Sequence, residues 1–348
     1  MTFSVKLFCV LFVSVSLLGI CTSCSESNYQ TCDFFAMDTY ISVKAIGASQ
    51  TDLEEIERFV KATEKTFSRT DPESEIYRLN SVQSCEVSPS CAQLLMRAAS
   101  AADATQGAFN PCLGLISDLW DVTGKKYLPS DAEIADALAH CSYNGYEVDD
   151  TSVLKKDIKT KIDLGAAVKG YTAGEALKIL KERGVSDAMI SLGGNIAVSG
   201  HAKGRTDGWG IGVRSPYFPD ELALTFSCTD RVIAVSGDYE RYFERDGVRY
   251  HHIFDSATGK PAKSGLRSTA VICADGFTAD MLSTALFVMG AEKAGSFAKS
   301  SLYDFEAILF TDDGKVLYTD GLADKITLSN NAKTESGTPL TLLPLSEY

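Results

Sequence analysis

Tyr250-His251-His252-Ile253-Phe254-Asp255-Ser256-Ala257-Thr258-Gly259-Lys260-Pro261 is a β-type run that carries two of the chain's four histidines straight into a turn rich in Asp, Ser, Thr, Gly and Pro. A purely structural hairpin rarely spends adjacent histidines there. Alternation along a strand sends His251 and His252 to opposite faces, so at most one faces a site and the other belongs to the surface or the core. About twenty residues on comes Thr278-Ala279-Asp280-Met281-Leu282-Ser283-Thr284, in which Asp280 and Thr284, four apart, share a helix face with Ser283 beside them. Ordinary capping and packing would account for that spacing as readily as ligation. Together the two segments offer a proton-handling group and hard oxygen ligands, a pairing that suits phosphate chemistry assisted by Mg²⁺.

Outward from this stretch the pattern predicts one α+β domain. Phe34 to Ile46 reads as a strand with Met37-Asp38-Thr39 inside it. Thr51-Asp52-Leu53-Glu54 reads as a capping box opening a helix with Leu53, Ile56, Phe59 and Ala62 on one face. Pro72 to Asn80 is a turn and a short helical segment. Ser88-Pro89 starts a helix that Gly107 stops, Ser130 caps another, and Ala167 to Arg183 is helical up to Gly184. Then the chain turns β-rich, with strands expected at 188–192, 196–199, 208–213, 222–227, 232–236, 249–254 and 267–273. A helix over 277–289 closed by Gly290 and two strands flanking Asp312-Asp313-Gly314 follow. Helices early and a mostly antiparallel sheet late make the α+β assignment.

The first residues are not part of that fold. Lys6 is the only charge before an apolar run, Leu7 to Ile20, too short to span a membrane comfortably and shaped as a signal peptide. Cys21-Thr22-Ser23-Cys24 resembles a bacterial lipoprotein box, with Cys24 as the lipidated first residue; an ordinary signal peptide with chance cysteines is the alternative. Such an anchor implies export and tethering to a bacterial membrane on its periplasmic side. The formal charge of −13 argues against nucleic acid as a partner and against a polybasic membrane patch. A polyanionic ligand would need local devices: a metal, backbone N–H groups or a lysine. Ten cysteines fall to seven once Cys9, Cys21 and Cys24 are set aside, and those seven form no C-x-x-C pair. Cys85 and Cys91 could close a small loop; Cys273 reads as a core thiol.

Other motifs are ambiguous singly. In Lys161-Ile162-Asp163-Leu164-Gly165-Ala166-Ala167-Val168-Lys169-Gly170-Tyr171 a short strand delivers Asp163 and a helix begins, whose exposed N–H groups suit phosphate with Lys169 as a cation. A tight strand-to-helix turn with a surface lysine explains it equally. Gly193-Gly194-Asn195 is a hairpin turn or backbone passing close to a flat ligand. In Gly107-Ala108-Phe109-Asn110-Pro111, Phe109 could stack on a flavin or adenine, although burial is the commoner fate of such a Phe. Ser236-Gly237-Asp238-Tyr239 ends an apolar strand, as a turn or facing a ligand.

Taken in order, these blocks resemble those of the ApbE family, the FAD:protein FMN transferases. Glu73-Ser74-Glu75-Ile76-Tyr77-Arg78-Leu79-Asn80, Gly107 to Pro111, Ile162 to Tyr171, Gly193 to Asn195, Ser236 to Arg241, His252 to Gly259 and Ala279 to Thr284 answer that family's motifs in sequence, from about Phe34 to Gly290. The resemblance implies an enzyme that uses FAD and Mg²⁺, cleaves the pyrophosphate and attaches FMN to a Thr or Ser of a target flavoprotein, releasing AMP. It implies metal ligands at the Ala166 carbonyl, Asp280 and Thr284, with Ser283 adjacent. Met37, Ala108, Phe109, Asn110, Asp163, Lys169 and Ile253 fall at flavin or nucleotide contacts, and His252 at the base for the acceptor hydroxyl. The acceptor expected is a flavoprotein subunit of a membrane electron-transport complex. Residues 1–23 would then be leader, 24–33 tether, 34–330 the transferase domain and 331–348 a tail. Asn110 and Ser256 stand where the family often has Asp and Pro. An FAD pyrophosphatase with water as nucleophile, or a flavin-binding lipoprotein without chemistry, are the competing expectations.

Overall fold

The computed structural model describes residues 29–300 and 302–348, so the leader and Cys24 lie outside it. Nine strands form the main sheet: β1 Tyr29–Ala36, β2 Thr39–Ile46, β3 Asp187–Leu192, β4 Asn195–Ser199, β5 Arg231–Gly237, β6 Leu266–Cys273, β7 Glu306–Thr311, β8 Lys315–Tyr318 and β9 Thr341–Pro344. Their order in space is their order in the chain. Every neighbouring pair is antiparallel except the last, β8 with β9.

Strand periodicity divides the interior in two. Ala307 and Leu309 of β7 join a core shared with helices, whereas Ile308 and Phe310 join a second core on the opposite face. The helical layer holds α1 Gln50–Phe67, α2 Glu75–Ser81, α3 Pro89–Ala104, α4 Gly114–Trp120, α5 Asp131–Leu138, α6 Val168–Glu182 and α7 Gly276–Lys299, of which α6 and α7 lie against the sheet's middle. The opposite face is covered by a small sheet built from Trp209–Arg214, Leu222–Cys228 and Thr327–Leu328. A third, smaller core gathers Ile116, Trp120, Ile134, Phe243 and Phe254. The result is the expected α+β domain with a mostly antiparallel sheet.

Several local readings are corrected. The strand read over 34–46 is a hairpin whose two-residue turn, Met37-Asp38, has φ of 54° and 55°, the turn geometry that matches strand twist. Tyr29 to Asp33, read as tether, are paired in β1, and the tail contributes β9 to the sheet's far edge. The α1 capping box is Ser49 with Asp52, two residues before the expected one. Asp163 is not on a strand; Lys161 makes a single bridge to Leu113 and a loop follows. Gly290 (φ 75°) interrupts α7, which resumes to Lys299. Cys85 and Cys91 are free thiols, and Cys273 is buried as expected. The helix α4 and the small sheet of Ser84–Glu86, Tyr146–Asp149 and Ser152–Lys155 were not foreseen. Among the described residues no helix is long and apolar enough to cross a membrane.

The two central helices touch where neither carries a side chain. A Cβ on Gly170 would sit 2.2 Å from the Gly276 carbonyl oxygen and 2.6 Å from Asp280 Cβ. One turn on, a Cβ on Gly174 would make an ordinary contact, 3.4 Å from Gly276. Gly170→Ala should therefore cost about 1–3 kcal/mol by forcing the helices apart. Gly174→Ala should be neutral or stabilise by up to about 1 kcal/mol through helix propensity. Urea denaturation of the two variants checks this; equal midpoints would contradict the close crossing.

Candidate active site

The turn between β1 and β2, the Gly193-Gly194 turn between β3 and β4, the end of β5 and the first turns of α6 and α7 meet at one end of the sheet. Gly193 is obligatory there: its φ is 53°, and a Cβ would lie 2.1 Å from Thr39 Oγ1. Just beyond, the Nδ2 of Asn195 is buried with no hydrogen-bond partner among the described residues. An orphaned buried amide donor costs about 1–3 kcal/mol unless something accepts from it.

Asp280 is 5% exposed and its Oδ2 accepts from the Gly170 N–H at 2.8 Å. The carboxylate of α7 thus caps α6, whose own N-cap, Ala167, has no side chain to do so. Burial pushes the Asp280 carboxyl upward, opposed by the Lys169 charge and these N–H groups. Lys169 is pushed down by its own burial and held up chiefly by Asp280, with Arg241, Glu240 and Asp38 also acting on it. Ser283 Oγ donates to the Asp280 carbonyl at 2.7 Å, and Ser236 Oγ lies 2.7 Å from Ser283 Oγ and 3.1 Å from Thr284 Oγ1. Three hydroxyls therefore bind the start of α7 to the end of β5.

The adjacent histidines separate as alternation requires. His251 is buried edge-on to Phe287; its Nε2 donates to the Ala262 carbonyl at 3.1 Å and its Nδ1 accepts from Ile253 N at 3.3 Å. Both of its nitrogens are used. His252, one residue past the strand end, is half-buried, and its Nδ1 lies 3.2 Å from the Arg241 carbonyl. A carbonyl only accepts, so Nδ1 carries the proton and Nε2 keeps a lone pair with no partner among the described residues. Burial pulls His252 down to about 3, aided by the Arg241 charge, and Lys169 acts on it too. Lys169 thus lies within electrostatic reach of both Asp280 and His252.

The remaining expected residues are held in different ways. Met37 N donates to Glu64 Oε1 at 2.7 Å, half-buried at the hairpin tip. Asp163 accepts from Ser117 Oγ and Gly165 N, both at 2.9 Å, and pairs with Arg69 at 3.2 Å. Phe109 is 1% exposed and edge-on to Phe277, while the Asn110 amide is used by the Cys141 carbonyl and Cys112 N. Those two side chains shape the loop, leaving half-buried Ala108 at its surface. Ile253 is buried, its carbonyl accepting from Ala262 N. Asp238 sits between Arg267 (2.7 Å) and Arg249 (3.3 Å) as a structural ion pair. Residue-by-residue reading missed Asn80, whose amide grips Ile162 at both N and O (2.7 and 2.9 Å) and so sets the loop before α6. It also passed over Arg69 and Ser117, while Asn195 and Ser236 were noted within their motifs but given no role of their own. A cleft of about 670 Å³ opens on the His251 side between Trp120, Tyr250, Arg249 and Arg267, and neither Lys169 nor Asp280 lines it.

A family model described as the ApbE family matches residues 37–309. The chain belongs to the ApbE family. The FAD:protein FMN transferase of Treponema pallidum (strain Nichols) is 31% identical over 293 residues, covering 79% of this chain and 81% of the relative. That of Klebsiella pneumoniae (strain 342) is 32% identical over 301 residues, 84% of this chain and 92% of the relative. The crystal structure of the ApbE protein from Thermotoga maritima superposes with a TM-score of 0.77 at 32% identity, spanning 84% of this chain and 98% of that one. The flavin transferase ApbE from Vibrio cholerae shares the fold at 24% identity, with a TM-score of 0.74 over 91% of this chain and 100% of that one.

For Mg²⁺ the ApbE-type site offers oxygen donors only: the Asp280 carboxylate, the Thr284 and Ser283 hydroxyls and the half-buried Ala166 carbonyl. No cluster of three or more acidic, His or Cys ligands occurs among the described residues. One buried carboxylate, energetically short of positive charge, fits a Mg²⁺ that draws its other ligands from water and substrate phosphates rather than from an all-protein cage.

The neutral buried His251 has a pH signature. The unfolded residue takes a proton near the ordinary imidazole value of about 6.5, the folded one only near 4. The unfolded state therefore binds more protons, and stability is full above pH 6.5 and falls as pH drops toward 4. His251→Gln keeps a donor for the Ala262 carbonyl but cannot titrate. Its denaturation midpoint should fall less than the wild type's between pH 6.5 and 4.5; parallel losses would refute a buried neutral imidazole.

Proposed function

We propose that the protein transfers FMN from FAD to a Thr or Ser hydroxyl of a target flavoprotein and releases AMP. The observation that carries this reading is the free Nε2 of His252, fixed by the Arg241 carbonyl beside Lys169 and Asp280. The chain's family and its flavin-transferase relatives supply the substrate class.

The residues divide the work on physical grounds. An aliphatic hydroxyl is a weak nucleophile near neutral pH; Nε2 accepts its proton as oxygen attacks phosphorus. Low basicity keeps His252 unprotonated across the physiological range, so the base is always ready. Lys169 supplies positive charge for the pyrophosphate in a protein that is acidic overall. The unsatisfied Asn195 Nδ2 offers a donor to a phosphate or flavin oxygen. Mg²⁺ held by Asp280, Thr284 and the Ala166 carbonyl would neutralise pyrophosphate charge and stabilise the departing AMP.

His252→Ala should lower transfer by about 100-fold or more while FAD affinity stays within about threefold, because the ring is not needed to bind. Asp280→Ala should remove the stimulation by Mg²⁺. Mass spectrometry of an acceptor flavoprotein incubated with FAD and Mg²⁺ reads the covalent FMN adduct. AMP without an adduct, at the wild-type rate, would mean that water is the true nucleophile. No AMP at all would leave a flavin carrier.

We further propose that Cys24 is lipidated after export, holding the domain on the periplasmic face of a bacterial membrane. There its acceptor would be a flavoprotein subunit of an electron-transport complex. The Cys21-Thr22-Ser23-Cys24 sequence supports this. Labelled palmitate should enter the wild type and not Cys24→Ala; equal labelling would overturn the assignment.

A further inference from the structure

Arg241 ends the block Ser236-Gly237-Asp238-Tyr239-Glu240-Arg241, and its carbonyl accepts from both the backbone N–H (3.1 Å) and Nδ1 (3.2 Å) of His252. Its guanidinium is exposed, donates no hydrogen bond and enters no ion pair among the described residues. This contrasts with Arg69, Arg97, Arg183, Arg249 and Arg267, each of which is paired with a carboxylate. The charge nevertheless reaches both His252 and Lys169. Lys169 likewise makes no side-chain hydrogen bond, and the other carboxylates acting on it, Glu240 and Asp38, are exposed and form no ion pair. Arg241 and Lys169 thus both lack a side-chain partner among the described residues, and the charge of each acts on His252.

We propose that Arg241 is a catalytic residue that grips the phosphoryl group under attack, that is, the phosphate of the FMN half. The inference rests on the transferase reading and adds a residue to it. The base must lie next to the attacking hydroxyl, and that oxygen must lie next to the phosphorus it attacks. Attacking and leaving oxygens lie on opposite sides of the phosphorus, and charge gathers on the three oxygens between them. A cation on the residue whose carbonyl holds the base is within reach of those three oxygens. In the step the hydroxyl oxygen forms a bond to phosphorus, its proton passes to His252 Nε2, and the bond between phosphorus and the bridging oxygen breaks, that oxygen leaving on AMP with the electron pair. A planar guanidinium can hold two phosphoryl oxygens at once; an ammonium cannot.

Arg241→Ala, Arg241→Lys and the wild type are titrated with FMN and separately with AMP, without acceptor, and then assayed for transfer. Losing a charge-assisted phosphate contact should weaken FMN binding about 10- to 100-fold in Arg241→Ala and leave AMP binding unchanged. The kcat for transfer should fall more than KM rises, with Arg241→Lys in between. Folding is a small concern, because the side chain has no partners and the backbone carbonyl remains in every variant. FMN affinity and kcat equal to the wild type's would overturn the proposal, as would weakened AMP binding with FMN intact. If wild type forms no adduct yet FMN binding still needs Arg241, the phosphate contact stands and the transferase reading falls.

Discussion

The site depends on the crossing of α6 and α7 at Gly170 and Gly276. Because neither residue has a side chain, the helices approach until the Asp280 carboxylate of one reaches the N–H of Gly170 on the other, at 2.8 Å. That one contact caps α6 and brings a buried negative charge within reach of Lys169. It also makes fold and function inseparable at this point. A helix cap of this kind is a structural role, and Asp280 fills it while its own charge stays only partly offset.

Burial then sorts the titratable groups. His251 and His252 are neighbours with opposite fates because the strand ends between them: one ring satisfies both its nitrogens inside the core, the other only one. The same desolvation that keeps His252 neutral weakens Lys169's hold on its proton and raises Asp280, so the three groups compensate one another most fully when a polyanion and a cation are present. The Ser236, Ser283 and Thr284 hydroxyls keep this balance rigid by tying α7 to β5 within hydrogen-bond distance.

What was legible in the sequence follows from which signals are local. Ser88-Pro89, Ser130 and the glycines at 107 and 184 mark helix ends through φ/ψ and capping chemistry that need no distant partner, and each stands where expected. The alternating strands of the later half were equally clear. The hairpin turn at Met37-Asp38 was not, since neither residue is a glycine and both adopt positive φ only because β1 and β2 pair along their whole length. Asn80 and Arg69 could not be assigned from spacing either. Their targets lie 82 residues away, at Ile162, and at Asp163 in the same loop, so only the fold reveals that they hold the segment before α6.

Two departures from the family pattern, Asn110 and Ser256, are explained by contacts a standard residue could not make. Asn110 stands where a carboxylate is common, yet its Nδ2 donates to the Cys141 carbonyl while its Oδ1 accepts from Cys112 N. An ionised Asp has no donor for the first bond and would face a carbonyl oxygen in a buried place. Ser256 stands where Pro is common, and its hydroxyl donates to the Gly107 carbonyl at 2.6 Å, linking the loop after α3 to the turn after His252. Proline has no group for that bond. Each replacement therefore exchanges a local feature, a charge or a stiff φ, for a cross-connection between loops 31 residues apart in one case and 149 in the other. Neither exchange involves His252, Lys169, Asp280 or Thr284, the groups to which the proposed function assigns the chemistry, so both changes fall in the supporting loops.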